Sequence, residues 1–115
     1  MARAPTTADA FNAIAEPHRR NLLLLLRENE SPVGELADVL GLNQPSVSKH
    51  LRVLREVGLV YVRRAGRQRL YGLDARGLRP IHEWTGGFEQ FWAESFDRLD
   101  EYVKGLKREE RAGGT

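Results

Sequence analysis

Between Gln44 and Arg79 the chain concentrates the groups that can hold a polyanion. Nine Lys or Arg side chains (Lys49, Arg52, Arg55, Arg63, Arg64, Arg67, Arg69, Arg76 and Arg79) stand against two acids, Glu56 and Asp74, a balance of +7. Residues 1–43 come to −2 and residues 80–115 to −3, so the formal net charge of +2 conceals a basic centre between acidic ends. Gln and Ser can exchange hydrogen bonds with base edges, while Lys and Arg can reach guanine or phosphate. The chemistry this set offers is recognition of nucleic acid, double-stranded DNA above all. Catalysis needs other groupings. The one Ser/His proximity, Ser48 and His50, lies two positions apart on a helical pattern, about 160° from each other around the axis. With no nucleophile–base pair, phosphate loop or metal cluster in the sequence, no enzyme activity is expected.

Secondary structure must position those cations. Val47, Leu51 and Leu54 repeat at i, i+4, i+7, which predicts a helix over 44–57 with one buried stripe. With that stripe inward, Pro45, Ser48, Lys49, Arg52 and Glu56 look outward, and Gln44 and Ser46 lie near the N-terminal tip. Val33, Leu36, Ala37 and Leu40 predict a preceding helix, capped by Ser31 and ended by Gly41. Two helices joined by a short glycine-containing turn, the second basic on its outer face, form a helix-turn-helix. Two β-rich segments, "LVYVRR" and "RQRLYGL", then lie either side of Ala65-Gly66 and predict a hairpin with Gly66 at positive φ. Arg63, Arg64, Arg67 and Arg69 bracket Gly66, a cationic tip suited to phosphates or a minor groove. The expected fold is mainly α with a small β-hairpin, a winged helix-turn-helix.

The flanks complete one domain over residues 8–107, with a frayed segment at 1–7 and a loose tail at 108–115. Asp9 is expected to cap a short helix bearing the stripe Phe11, Ile14 and Ala15, and Pro17 to open a second helix that runs to about Glu28. "LLLLL" within that second helix predicts burial on several sides. A final helix is expected over about 75–107, kinked by "TGG" at 85–87. Thr85, Phe88, Trp92, Ser95, Leu99, Tyr102 and Leu106 fall at alternating steps of 3 and 4, the seam of paired helices, which Phe91 and Phe96 widen. A chain of 115 residues cannot bury all of this alone. A homodimer is therefore expected, formed through the N- and C-terminal helices, with Phe11, Ile14, Phe88, Phe91, Trp92, Ser95, Leu99, Tyr102 and Leu106 at its interface. Twofold pairing would set two reading helices one DNA turn apart, roughly 34–36 Å.

The segment "SPVGELADVLGLNQPSVSKHLRVLREVGLVYVRRAGRQRLYGLD" resembles the ArsR family of bacterial winged-helix repressors, through "ELA", "PSVSKHLRVLREVGLV" and the wing "RRAGRQRLYGL". With "FNAIAEPHRRNLLLLL" ahead of them, the likeness covers about residues 9–80. It implies a homodimer with the 44–57 helix in the major groove, the wing alongside, and repression of a nearby operon relieved by a signal. Many family members sense metals through cysteines on the helix before the reading helix. This chain has Val33 in that neighbourhood and no cysteine anywhere, which excludes a thiolate site. A second family site uses His and carboxylates of the C-terminal helices. Here His82, Glu83, Glu89, Asp97, Asp100 and Glu101 supply one histidine, short of the pair of nitrogen ligands zinc prefers. His50 at the edge of its buried stripe and His18 after Pro17 read as packing or surface residues. No metal or cofactor is expected. Trp84, Phe88, Phe91, Trp92 and Phe96 read first as core, and second as a pocket for an apolar small-molecule effector. Alternatives to the regulator are a winged-helix module for protein contacts, or a metal- or small-molecule-responsive sensor using the C-terminal helix. No apolar run nears the ~20 residues of a membrane span, and no signal peptide opens the chain, so a cytoplasmic protein without membrane contact is expected.

Overall fold

The computed structural model describes residues 9–113, so the expectation of a frayed 1–7 segment lies outside the described residues. Two compact units divide the chain, residues 1–81 and residues 82–115. In the first, α1 (Ala10–Ile14), α2 (Pro17–Glu28), α3 (Val33–Leu40) and α4 (Gln44–Glu56) precede β1 (Val60–Ala65), β2 (Gln68–Leu73) and a 3-10 turn at Ala75–Leu78. Leu22, Leu36, Val47, Leu51, Leu54 and Leu59 are its fully buried centre. Each such side chain stabilises the packing by about 1.5–3 kcal/mol. The three supplied by α4 therefore fix its rotation about its own axis, and with it the direction of every polar residue it carries. This is the winged helix-turn-helix the sequence predicts.

Differences are local and have physical causes. α1 is capped by Asp9, which accepts the Asn12 N–H at 2.9 Å, but its buried face is Ala10 and Ala13, while Phe11 and Ala15 are exposed. Small residues let α1 lie close to α2, where Arg19 Nε donates to the Ala13 carbonyl (2.6 Å) and Arg20 to that of Ile14 (2.8 Å). α2 buries one broad face through Leu22, Leu23 and Leu26, and leaves Leu24 exposed. Ser31 does not cap α3, which starts after Pro32 without a side-chain cap. A residue before proline is pushed to extended conformation, and Ser31 accordingly pairs as a strand would, trading two backbone hydrogen bonds with Tyr71 (3.0 and 2.9 Å). β1 and β2 are antiparallel from Val60↔Leu73 to Ala65↔Gln68. The connecting turn is thus Gly66-Arg67, one residue later than expected. Gly66 takes φ +64° and Arg67 does not take positive φ, the pattern of a type II′ hairpin turn.

The second unit is helical. α5 (Arg79–Gly86), whose first residues belong to the first unit, ends where "TGG" was expected to kink a single helix; the break is complete, and α6 (Glu89–Gly113) starts anew. Three-residue bonds close α5, from the N–H of Gly87 to the Trp84 carbonyl (3.2 Å) and from that of Phe88 to Thr85 (2.9 Å). Two adjacent glycines carry the largest helix penalty short of proline. Thr85 therefore sits on α5 and Phe88 in the turn between the helices, while the rest of the expected seam, from Trp92 on, belongs to α6. At the other end α6 continues to Gly113, past the expected stop near Lys107, because Lys107, Arg108, Glu109 and Glu110 are good helix formers. Along α6, Phe91, Trp92, Phe96, Leu99, Tyr102, Val103 and Leu106 are all 39–68% exposed. Among the described residues no helix is long and apolar enough to cross a membrane.

Candidate nucleic-acid interface

α4 opens at Asn43, whose side-chain oxygen accepts the Ser46 N–H at 2.9 Å. The sequence reading passed over this cap. It fixes the first turn of the helix that carries the polar set, and it engages the backbone of Ser46, a residue expected to face DNA. Asn43→Ala is expected to cost about 1 kcal/mol, lowering the melting temperature by roughly 4–8 °C, which thermal denaturation followed by circular dichroism will measure. Pro45, Ser48, Lys49 and Arg52 are exposed as expected, and Ser46 is half-buried. Gln44 is also exposed, but its amide nitrogen leans toward α3, where a Cβ on Gly34 would meet it at 3.4 Å.

The hairpin sorts its arginines by strand register. Partners directly across an antiparallel pair share a face, and faces alternate along each strand. Val60–Leu73, Val62–Tyr71 and Arg64–Arg69 therefore share one face, and Tyr61–Gly72, Arg63–Leu70 and Ala65–Gln68 the other. The first face meets α4. Ser48, Leu51, Arg52 and Arg55 of the helix and Arg69 and Tyr71 of β2 line a groove of roughly 280 Å³. Ser48, Arg52 and Arg55 recur at i, i+4, i+7, one stripe turned toward the wing. Arg55 was not among the expected contacts, although its spacing from Ser48 could have placed it there. Among the described residues, Lys49, Arg52, Arg55, Arg64, Arg67 and Arg69 make no ion pair. Arg64 even stands directly across from Arg69, a like-charge pairing that weakens a sheet.

Arg63 departs from expectation. It lies on the opposite face of the hairpin, where its Nε and terminal nitrogen grip both oxygens of Glu30 at 2.7–2.9 Å. The Tyr61 hydroxyl donates to the same carboxylate. Tyr61 can reach it because its ring lies across Gly72, where any Cβ would come within 2.2 Å of the ring. Arg63 thus anchors the wing to the loop before α3 and drops out of the groove set. Arg76 is likewise paired, with Asp74 at 2.9 Å. The Arg63 guanidinium first, and the Tyr61 hydroxyl second, hold the Glu30 carboxyl down at about 2, against an ordinary 4.5. A carboxylate with a depressed folded value contributes stability above its unfolded value and loses it as pH falls through the folded one. The anchor is therefore expected to hold at pH 5 and above and to weaken from about pH 4.5 down toward pH 2. NMR titration of the Glu30 carboxyl carbon should show a midpoint near 2; a midpoint at 4.5 would contradict the anchor.

Comparison with known proteins then fixes the family. Residues 16–62 match the family profile described as "Bacterial regulatory protein, arsR family". Rv2034, an HTH-type transcriptional regulator of Mycobacterium tuberculosis, is 39% identical over 83 residues, covering 72% of this chain and 75% of that protein. The chain belongs to the ArsR family. Two other M. tuberculosis relatives of this ArsR-family protein are the HTH-type transcriptional regulator NmtR, 44% identical over 70 residues, and the HTH-type transcriptional repressor SmtB, 43% identical over 73. The matches take in 61% and 64% of this chain but only 58% and 54% of those proteins' lengths. A crystal structure described as a possible transcriptional regulator for arsenical resistance superposes with a TM-score of 0.60 at 42% identity, covering 76% of this chain and 88% of its own. These relatives are regulators of transcription, and the family is not one of enzymes, as the sequence reading holds.

Within this ArsR-family chain, Ile14 of the expected dimer set packs against the core of the first unit. Phe88 precedes the first turn of α6, its carbonyl accepting the Trp92 N–H at 3.2 Å. His18 and His50, read from sequence as unrelated residues, lie beside one carboxylate, that of Glu16. Their separation along the chain hid this from any spacing argument.

Proposed function

We propose that this chain is a homodimeric transcriptional repressor of the cytoplasm that binds double-stranded DNA at an inverted-repeat operator. α4 enters the major groove, with Ser48, Lys49 and Arg52 toward base edges, and Arg55, Arg64, Arg67 and Arg69 follow the phosphates. The groove between α4 and the wing carries this reading: cations from two elements converge there without counter-ions among the described residues. Charge repulsion of that kind is relieved by an anionic ligand, and DNA presents phosphates at a matching scale. The exposed apolar stripe of α6, Trp92, Leu99, Tyr102 and Leu106, supports twofold pairing, because a stripe of this size on a small domain is ordinarily covered. Selection of bound sequences from random duplex DNA, followed by footprinting, tests the proposal. The expected winner is an inverted repeat with half-sites about 10–10.5 base pairs apart, or a multiple. Binding without sequence preference would contradict it.

A further inference from the structure

The side of α4 turned away from the wing has its own chemistry. His50 is half-buried there, against the start of α2, where Glu16 and His18 flank Pro17. His18 Nδ1 lies 3.1 Å from one Glu16 oxygen and His50 Nε2 lies 3.9 Å from the other. The two imidazole centroids are 5.7 Å apart, with ring planes 31° from parallel. One donor atom from each of the three residues falls within 4.8 Å of the others, and this is the only such group of three among the described residues. Two ligands on one tetrahedral zinc ion stand about 3.3 Å apart, given bonds of about 2.0–2.1 Å. Side-chain rotations of the three residues would have to close the remaining distance.

We propose that Glu16, His18 and His50 form a binding site for a divalent transition-metal ion of the zinc class, which ties the reading helix to the start of α2. Two imidazoles and one carboxylate suit zinc and its neighbours, whereas calcium and magnesium require oxygen ligands throughout. The set supplies the pair of nitrogen donors that His82 alone cannot. Competing cations are engaged elsewhere: Arg19 and Arg20 donate to the carbonyls that end α1. The His18 side chain is 45% exposed, so an ion and a fourth ligand such as water can enter from solvent. Pro17 fixes its own φ and so limits the backbone freedom between Glu16 and His18 before any metal arrives. The site concerns metal uptake alone and stands whether or not α4 contacts DNA.

Calorimetric titration of the full, metal-stripped chain with zinc chloride against a competing chelator tests it. One zinc per chain is expected, with a melting temperature that rises with zinc. His18→Gln and His50→Gln should each weaken uptake at least about 100-fold, and His82→Gln should leave it unchanged. Should either variant fail to fold, the imidazole nitrogen resonances of the unaltered chain decide, since zinc must shift those of His18 and His50. No uptake at micromolar free zinc, uptake that shifts His82 instead, or undiminished uptake by folded His50→Gln would overturn the proposal.

Discussion

Glutamine in place of both Arg52 and Arg69 is expected to lower operator affinity by about 10²- to 10⁴-fold, the combined loss of two close contacts to base or phosphate. One residue comes from α4 and the other from β2, yet both line the same groove. The double variant therefore asks whether helix and wing hold one ligand together. Losing the Arg69 phosphate contact would also flatten the logarithmic salt dependence by roughly 0.9, the slope of one contact. Folding should not suffer. Arg69 faces Arg64 across the sheet, and Arg52 and Arg55 are neighbours on one stripe, so removing charge relieves repulsion. A small gain in melting temperature at low salt, together with a large loss of binding, would mark residues kept for a ligand at some expense in stability. Salt titrations of binding by fluorescence anisotropy, with melting curves alongside, supply both readings.

The second large effect is expected from Leu99→Glu. Leu99 sits midway along the exposed apolar stripe of α6, and glutamate is a good helix former, so the helix persists while the seam acquires a charge on each chain. Two like charges meeting across a twofold axis oppose pairing. The variant is expected to be monomeric by sedimentation and native mass spectrometry. Its affinity for a complete inverted repeat should fall about 10²- to 10⁴-fold, to that of a single half-site, since the second contact loses its effective concentration. A variant that still sediments as the unaltered chain does would remove α6 from the interface.

Sequence and structure agree where the determinant is local. The Val47, Leu51 and Leu54 stripe set the rotation of α4, because burial of apolar side chains at helical spacing has one solution. Gly66 marked the hairpin to within one residue. The stripe on α1 misled because alanine is weakly apolar; its value there is that it allows close approach, which periodicity cannot express. Hidden altogether were the pairings between distant segments. Nothing around Glu30 indicates that it will hold Arg63, and a count of cations near Gly66 treats Arg63 and Arg64 alike. Strand register alone separates them, placing one on an anchor and the other over the groove. The same blindness applied to His18 and His50, each plain in its own neighbourhood and adjacent only after folding.

Arginine side-chain NMR on addition of the selected duplex tests the central claim most directly. If the groove between α4 and the wing receives DNA, the Nε–Hε resonances of Arg52, Arg55, Arg64, Arg67 and Arg69 shift and gain protection from exchange. Those of Arg63 and Arg76, held by Glu30 and Asp74, stay in place. Shifts confined to Arg63 and Arg76, or spread evenly over all seven, would contradict the account.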